Sequence, residues 1–279
     1  MSIHQPNYDL PPPPLEPRAR RTYAIFEHQV LEQAGGLNLV LLALIFLVVI
    51  VPLVFTIYLE RFLPPGIGGS TSLATFYGPI NGGAWYFLLI LLASSAGAAV
   101  IARDVATKAM TMYLARPIRP VDYLAGKSGA VAFWIFLGGV LPGWIGTVIV
   151  LAIGYVSLPL ALEAVGGYLV VGICSIAAFT GLAVLLSSLT ARSTLAGAGI
   201  FGALLGSFVV TGVLAGLSGA PGFLYASPIQ DVLAVAAGAF DAPGSPIAPW
   251  SAAAVLAGFA VAAFGLAFLR LHRTQVVAE

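Results

Sequence analysis

The chain has 279 residues, of which 59% are hydrophobic and only 8% charged, with 32 glycines and a mean hydropathy of +1.00. A soluble domain of this length has too much surface to leave so few charges for solvent, so the composition indicates a polytopic membrane protein. The formal net charge of +1 predicts no nucleic-acid or acidic partner, and a single cysteine, Cys174, excludes both a disulfide framework and a thiolate metal site.

Residues 1–17 are polar and rich in proline, including four consecutive prolines, and read as a disordered or polyproline cytoplasmic tail. No positive region followed by an apolar core is present there, so this stretch is not a signal peptide. From 18 to 37 the pattern becomes helical. Tyr23, Phe26, Val30, Ala34 and Leu37 recur at three- and four-residue intervals, with Arg18, Arg20, Arg21, Glu27, Glu32 and Gln33 between them. The expectation is an amphipathic helix lying in the cytoplasmic interface with its arginines toward lipid phosphates, and a bend at Gly35-Gly36 before the first span.

Six segments then reach the roughly 20 apolar residues needed to cross about 30 Å of hydrocarbon. They are 38–59, 83–102, 128–153, 164–189, 194–217 and 250–269, which together define a six-helix transmembrane domain over 38–269. The basic residues of the amphipathic helix, of the 103–127 loop, Arg192, Arg270 and Arg273 fall on one side, leaving Arg61 on the other. Positive loops face the cytoplasm, so both termini, including the 270–279 tail, are expected there and 218–249 is expected outside. Tyr58, Phe62, Tyr77, Trp85, Tyr86, Tyr155, Tyr168, Tyr225 and Trp250 gather near the predicted outer ends as an anchoring belt. Pro52 and Pro142 should kink spans one and three. Gly139 with Gly143, Gly202 with Gly206 and Gly212 with Gly216 have the GxxxG spacing that permits close helix contact.

Chemistry is scarce along the chain. No ionisable residue lies well inside a predicted span, which argues against a proton-driven transporter. No phosphate-binding GxxxxGK[ST] loop is present, so the chain does not split ATP by that route. Ser218 is the best nucleophile candidate, but His4, His28 and His272 are expected across the bilayer, about 30 Å away, far beyond the ~3 Å that proton transfer requires. The scattered histidines and methionines form no metal constellation. The chain is read as non-catalytic.

Against this background the stretch from Arg103 to Lys127 stands out, with five of the twelve Lys and Arg residues (Arg103, Lys108, Arg116, Arg119, Lys127) and two carboxylates, Asp104 and Asp122. RDVATKAMTMYL, from Arg103, has helical character. Arg116-Pro117-Ile118-Arg119-Pro120 breaks it, and 121–127 leads into span three. The expectation is a short helix across the membrane surface that offers Met112 and Tyr113 to a groove within a basic frame.

Ile101-Ala102-Arg103-Asp104, Leu114-Ala115-Arg116-Pro117-Ile118 and Asp122-Tyr123-Leu124-Ala125-Gly126-Lys127, at these spacings after the second of six spans, resemble the permease subunits of type-2 ATP-binding-cassette transporters. The likeness extends to the amphipathic helix and to Tyr225-Ala226-Ser227-Pro228. It implies an all-α exporter permease fold, dimerisation with a second copy or a relative in the plasma (inner) membrane, and coupling to separate ATPase subunits that carry ATP and magnesium. It further implies that Arg103, Asp104, Thr107, Lys108, Met112, Tyr113, Arg116, Pro117 and Ile118 contact the ATPase. A longer, Pro- and Gly-rich outer segment before the last span departs from the family pattern. The competing reading is a membrane anchor or receptor whose loop recruits a cytoplasmic partner without moving cargo. A path without charges suits apolar or amphipathic cargo such as lipids, peptides or drugs.

Overall fold

The computed structural model describes residues 17–62, 71–107 and 119–276, and the regular structure among them is entirely helical. Six helical segments are long and apolar enough to cross a membrane: Gly36–Glu60, Ala84–Ala106, Pro120–Ala152, Leu158–Leu189, Ser193–Ser218 and Pro249–Arg273. The chain is a multi-pass membrane protein.

Helix α1 (Arg18–Gln33) precedes the first span, α2 (Gly36–Phe62). Along α2, Leu41, Ile45, Val49, Leu53 and Ile57 are buried at four-residue spacing, whereas Leu39, Val40, Leu44, Leu47, Val51 and Phe55 are exposed. Both sets are equally apolar because one meets protein and the other lipid. Pro52 lies inside a helix that runs on past it.

A 3-10 turn, Leu73–Tyr77, and the short α3 (Gly78–Asn81) lead to α4 (Ala84–Ala98). The second span is interrupted at 99–101 and resumes as α5 (Ala102–Ala106). At the interruption the Ser187 hydroxyl accepts from the Ile101 and Ala102 amides, at 3.0 and 2.9 Å, satisfying donors that the broken helix leaves without partners.

The third span is longer than expected. It consists of α6 (Pro120–Gly139) and α7 (Leu141–Ala152), with the break at Val140 just ahead of Pro142. Pro120, at the first helical position, has no amide donor to satisfy and starts α6 eight residues before the expected 128. The 33 residues of this span reach about 50 Å at 1.5 Å per residue, so it projects beyond a hydrocarbon layer of ~30 Å. Residues 120–127, expected as loop, are therefore helix, and Lys127 belongs to a spanning helix instead of preceding one.

Helix α8 (Leu158–Leu189) is the central post, packed against the second, third and last spans. Helix α9 (Ser193–Ser218) buries only Ala196, Ile200, Leu204 and Thr211 and ends at Gly219, whose φ of +68° is a left-handed cap suited to glycine. A 3-10 turn at Pro221–Ala226 is followed by α10 (Pro228–Ala239) and α11 (Pro249–Val276). With 12 residues, about 18 Å, α10 is too short to cross and packs between α8 and α11.

Two members of the expected aromatic belt belong to the protein core. Trp85 is buried and donates to the Gly138 carbonyl, and Tyr168 is buried, donates to the Phe76 carbonyl at 2.9 Å and meets Phe240 edge to face. Trp250, by contrast, is 88% exposed. The GxxxG pairs also divide. Gly143 lies against the Tyr168 ring, while Gly202, Gly206 and Gly216 have open space where a side chain would be.

Candidate functional site

The end of the bundle that carries most of the arginines is tied together by charge. Asp122, in the first turn of α6, receives Arg18 Nε at 2.7 and 2.8 Å on its two oxygens, and a second guanidinium nitrogen lies 2.7 Å from Oδ1. That fork geometry orients the pair as well as attracting it. Arg18, whose sequence position suggested contact with lipid phosphates, thus pairs with a carboxylate of its own chain.

One turn further on, Lys127 Nζ lies 2.8 Å from Asp104 Oδ2 and donates to Gln29 Oε1 at 2.6 Å, and the Tyr123 hydroxyl donates to the same Asp104 oxygen at 2.6 Å. Tyr123 and Lys127 share a face of α6 by their four-residue spacing, which sets the ammonium 5.7 Å from the ring centroid. The side chains of Lys127 and Asp104 are only 6% and 12% exposed. Burial of such a pair is tolerable because each charge has an opposite partner and a further hydrogen bond. Arg103 forms an ion pair with Glu32 at the more exposed rim.

Helix α1 reaches this cluster through its polar face. Gln29 and Gln33 are its buried residues, whereas Tyr23 and the following Leu37 are exposed. The close approach depends on Gly126, where an added Cβ would lie 2.8 Å from Ile25 and 3.0 Å from the Thr22 carbonyl. Gln33 then donates to the Ala96 carbonyl at 2.7 Å, tying α1 to α4.

Of the residues expected to contact a partner, Arg103, Asp104 and Thr107 come together on α5 and just after it. Arg103 and Asp104 are engaged within the chain, and exposed Thr107 donates to the Arg103 carbonyl. Lys108, Met112, Tyr113, Arg116, Pro117 and Ile118 lie outside the described residues. The network adds Arg18, Gln29, Glu32, Asp122, Tyr123 and Lys127 to the two roots of that segment. Their sequence signal was slight: a lysine and an aspartate ahead of a long apolar run, and two glutamines four apart on α1. Among the described residues no group of three His, Cys, Asp or Glu side chains converges as a metal site would. Ser218 donates to the Leu214 carbonyl and accepts from the Ala220 amide, as a helix-ending turn requires.

The opposite end holds one isolated acid. Asp231, in the first turn of α10, is 1% exposed and its Oδ1 accepts no hydrogen bond. The start of a helix favours a carboxylate, but only weakly. Desolvation prevails and pushes its pKa up to about 7. The neighbouring α8, α9 and α11 bring no Lys, Arg or His to this end. A carboxyl whose folded pKa exceeds its unfolded value of about 4 binds more protons when folded, so stability is highest below pH ~4 and falls as the pH rises to ~7. Unfolding midpoints of the detergent-solubilised protein should decline from pH 5 to pH 8, and Asp231→Asn should remove most of that slope. A variant as pH-dependent as the parent would mean that another group is responsible.

No family model matches the chain, and no curated protein is significantly similar to it.

Proposed function

We propose that the chain is the membrane-spanning permease subunit of a type-2 ATP-binding-cassette exporter. It would pair with a second permease copy, identical or related, and with separate ATPase subunits that hold ATP and magnesium. The observation that carries this reading is the cross-tie at the two roots of the 107–119 segment. Asp104 on one root and Asp122 and Lys127 on the other are locked to each other and to α1, and Gln33 of α1 holds α4. A loop that only joined two spans would need no such fastening. A push delivered to the segment between the roots would instead load α1, α4 and α6 together, because satisfied buried contacts transmit displacement without yielding.

The remaining assignments follow the distribution of charge and the family resemblance. The basic end faces the cytoplasm, in keeping with the positive-inside rule, in the plasma membrane, and the cargo is apolar or amphipathic. Lys108, Met112, Tyr113, Arg116, Pro117 and Ile118 would supply the partner contact, with Arg103 and Thr107 at its base.

Two measurements test this reading. The chain should copurify with a soluble subunit that hydrolyses ATP, whereas a retained partner without ATPase activity would favour the anchor reading. Replacing Met112 and Tyr113 together by Asp should reduce cargo-stimulated ATP hydrolysis to its basal rate while the bundle stays folded. Stimulation that survives in a well-folded complex would reject docking through this segment.

A further inference from the structure

The second span breaks where its own sequence gives no reason to. Residues 98–106, AAVIARDVA, contain neither proline nor glycine, and no residue at the break has a left-handed backbone. Ala99 sits at φ −99°, ψ −2° and Ile101 at φ −121°, ψ −34°. Without a breaker in the chain itself, a helix is interrupted by a side chain that inserts into its hydrogen-bond ladder.

A continuous helix needs three backbone bonds here, from the amides of Val100, Ile101 and Ala102 to the carbonyls of Ala96, Gly97 and Ala98. Each of these groups has another partner. Val100 donates to the Gly97 carbonyl at 3.3 Å, and Ile101 and Ala102 donate to the Ser187 hydroxyl. That hydroxyl donates in turn to the Ala98 carbonyl at 3.3 Å, and the Ala96 carbonyl takes Gln33 Nε2 at 2.7 Å. One hydroxyl of α8 and one amide of α1, both buried, thus stand in for the missing rungs.

The exchange is close to even. The broken span keeps its backbone groups paired but leaves Gln33 Oε1 buried without a hydrogen bond. A continuous span would regain the helical bonds, and Ser187 could then turn to the carbonyl one turn back in α8, as Ser175 does to Val171 at 2.8 Å. Ile101 needs only about 60° in φ to become helical, within the right-handed region.

We propose that residues 99–101 form a two-state joint, held broken by Ser187 and Gln33, whose release lets α4 and α5 join as one helix. The far side of the joint is gripped by other helices, since Arg103 of α5 pairs with Glu32 of α1 and Asp104 with Lys127 of α6. A displacement of α1 or α6 therefore reaches the joint through α5. The inference concerns the chain alone and stands whether or not it moves cargo.

Electron–electron double resonance on the full-length protein in lipid nanodiscs tests the joint. Spin labels on Ala84→Cys and Ala106→Cys, both exposed positions, bracket it in a Cys174→Ala background. In one continuous helix these positions lie roughly 33 Å apart. The parent should give a main population displaced from that distance, and Ser187→Ala should shift the population to it. Gln33→Leu, which frees only the Ala96 carbonyl, should shift a smaller share and carries the test if Ser187→Ala does not fold. Variant distances that match the parent's, or that only broaden about the same mean, would make the two side chains static supports and overturn the proposal. A parent already centred on the continuous-helix distance would overturn it as well.

Discussion

Lys127→Met is expected to destabilise the protein by about 3–5 kcal/mol, the usual cost of leaving a buried charge without its partner. The substitution preserves the length and apolar stem of the side chain, so packing on Tyr123 is largely kept. It takes from Asp104 the only cation that pairs with it among the described residues and from Gln29 Oε1 its donor. Asp104 would retain the Tyr123 hydroxyl alone. Because the cost lies in the orphaned carboxylate, removing that as well should restore much of the loss, and Lys127→Met with Asp104→Leu should be markedly more stable than Lys127→Met. Unfolding in a graded denaturing detergent, followed by tryptophan fluorescence, measures both variants. A single variant within about 1 kcal/mol of the parent would show that water reaches Asp104 and that the pair is not a buried tie.

The second large effect concerns helix contact at glycine. Gly172 on α8 lies so close to Val140 that an added methyl group would overlap the valine side chain, and Gly143 on α7 stands in the same relation to the Tyr168 ring. Neither neighbour has room to retreat. Val140 is fully buried at the α6–α7 break, and Tyr168 is held by its hydrogen bond to Phe76 and by Phe240. Overpacking of this kind costs about 1–3 kcal/mol, so Gly172→Ala and Gly143→Ala should each lower the unfolding midpoint by a clear margin. Val140→Ala added to Gly172→Ala should recover part of the loss by removing the overlapping methyl groups. Gly206→Ala, with no atom within 4 Å of the new carbon, should not lower the stability of the isolated chain and should raise it slightly through the better helix propensity of alanine.

These glycines indicate how far the amino-acid pattern reaches. All three GxxxG pairs look alike as letters, yet Gly143 serves a contact inside the chain and Gly202 and Gly206 face outward. Burial on α2 is likewise invisible in composition: Leu44 and Ile45 are adjacent and equally apolar, but one is 43% exposed and the other fully buried. In water that difference would be written as polarity. In lipid both faces of a helix meet hydrocarbon and the pattern carries no sign of which one meets protein.

The candidate site was legible in outline. The charged island between two apolar runs marked the stretch whose two ends carry the ion pairs, since charge avoids the hydrocarbon and accumulates where the chain leaves it. Its partners were not legible. Arg18 and Asp122 are 104 residues apart, Lys127 and Gln29 are 98 apart, and no local periodicity encodes either meeting. That α1 also meets the bundle through Gln29 and Gln33, which bond to Lys127 and the Ala96 carbonyl, was not signalled by its apolar stripe.

By itself, then, the order of residues determined that this is a helical multi-pass protein with six spans and a charged segment after the second, because bilayer thickness and the avoidance of lipid by charge are properties that each stretch of chain meets alone. Only the tertiary structure decided that Lys127 and Asp104 are buried partners, that α1 docks by its glutamines and that Asp231 meets no counter-charge among the described residues. Those outcomes depend on which helices pack side by side, and in a chain this uniformly apolar the packing is selected by the shapes and hydrogen bonds of distant residues in combination.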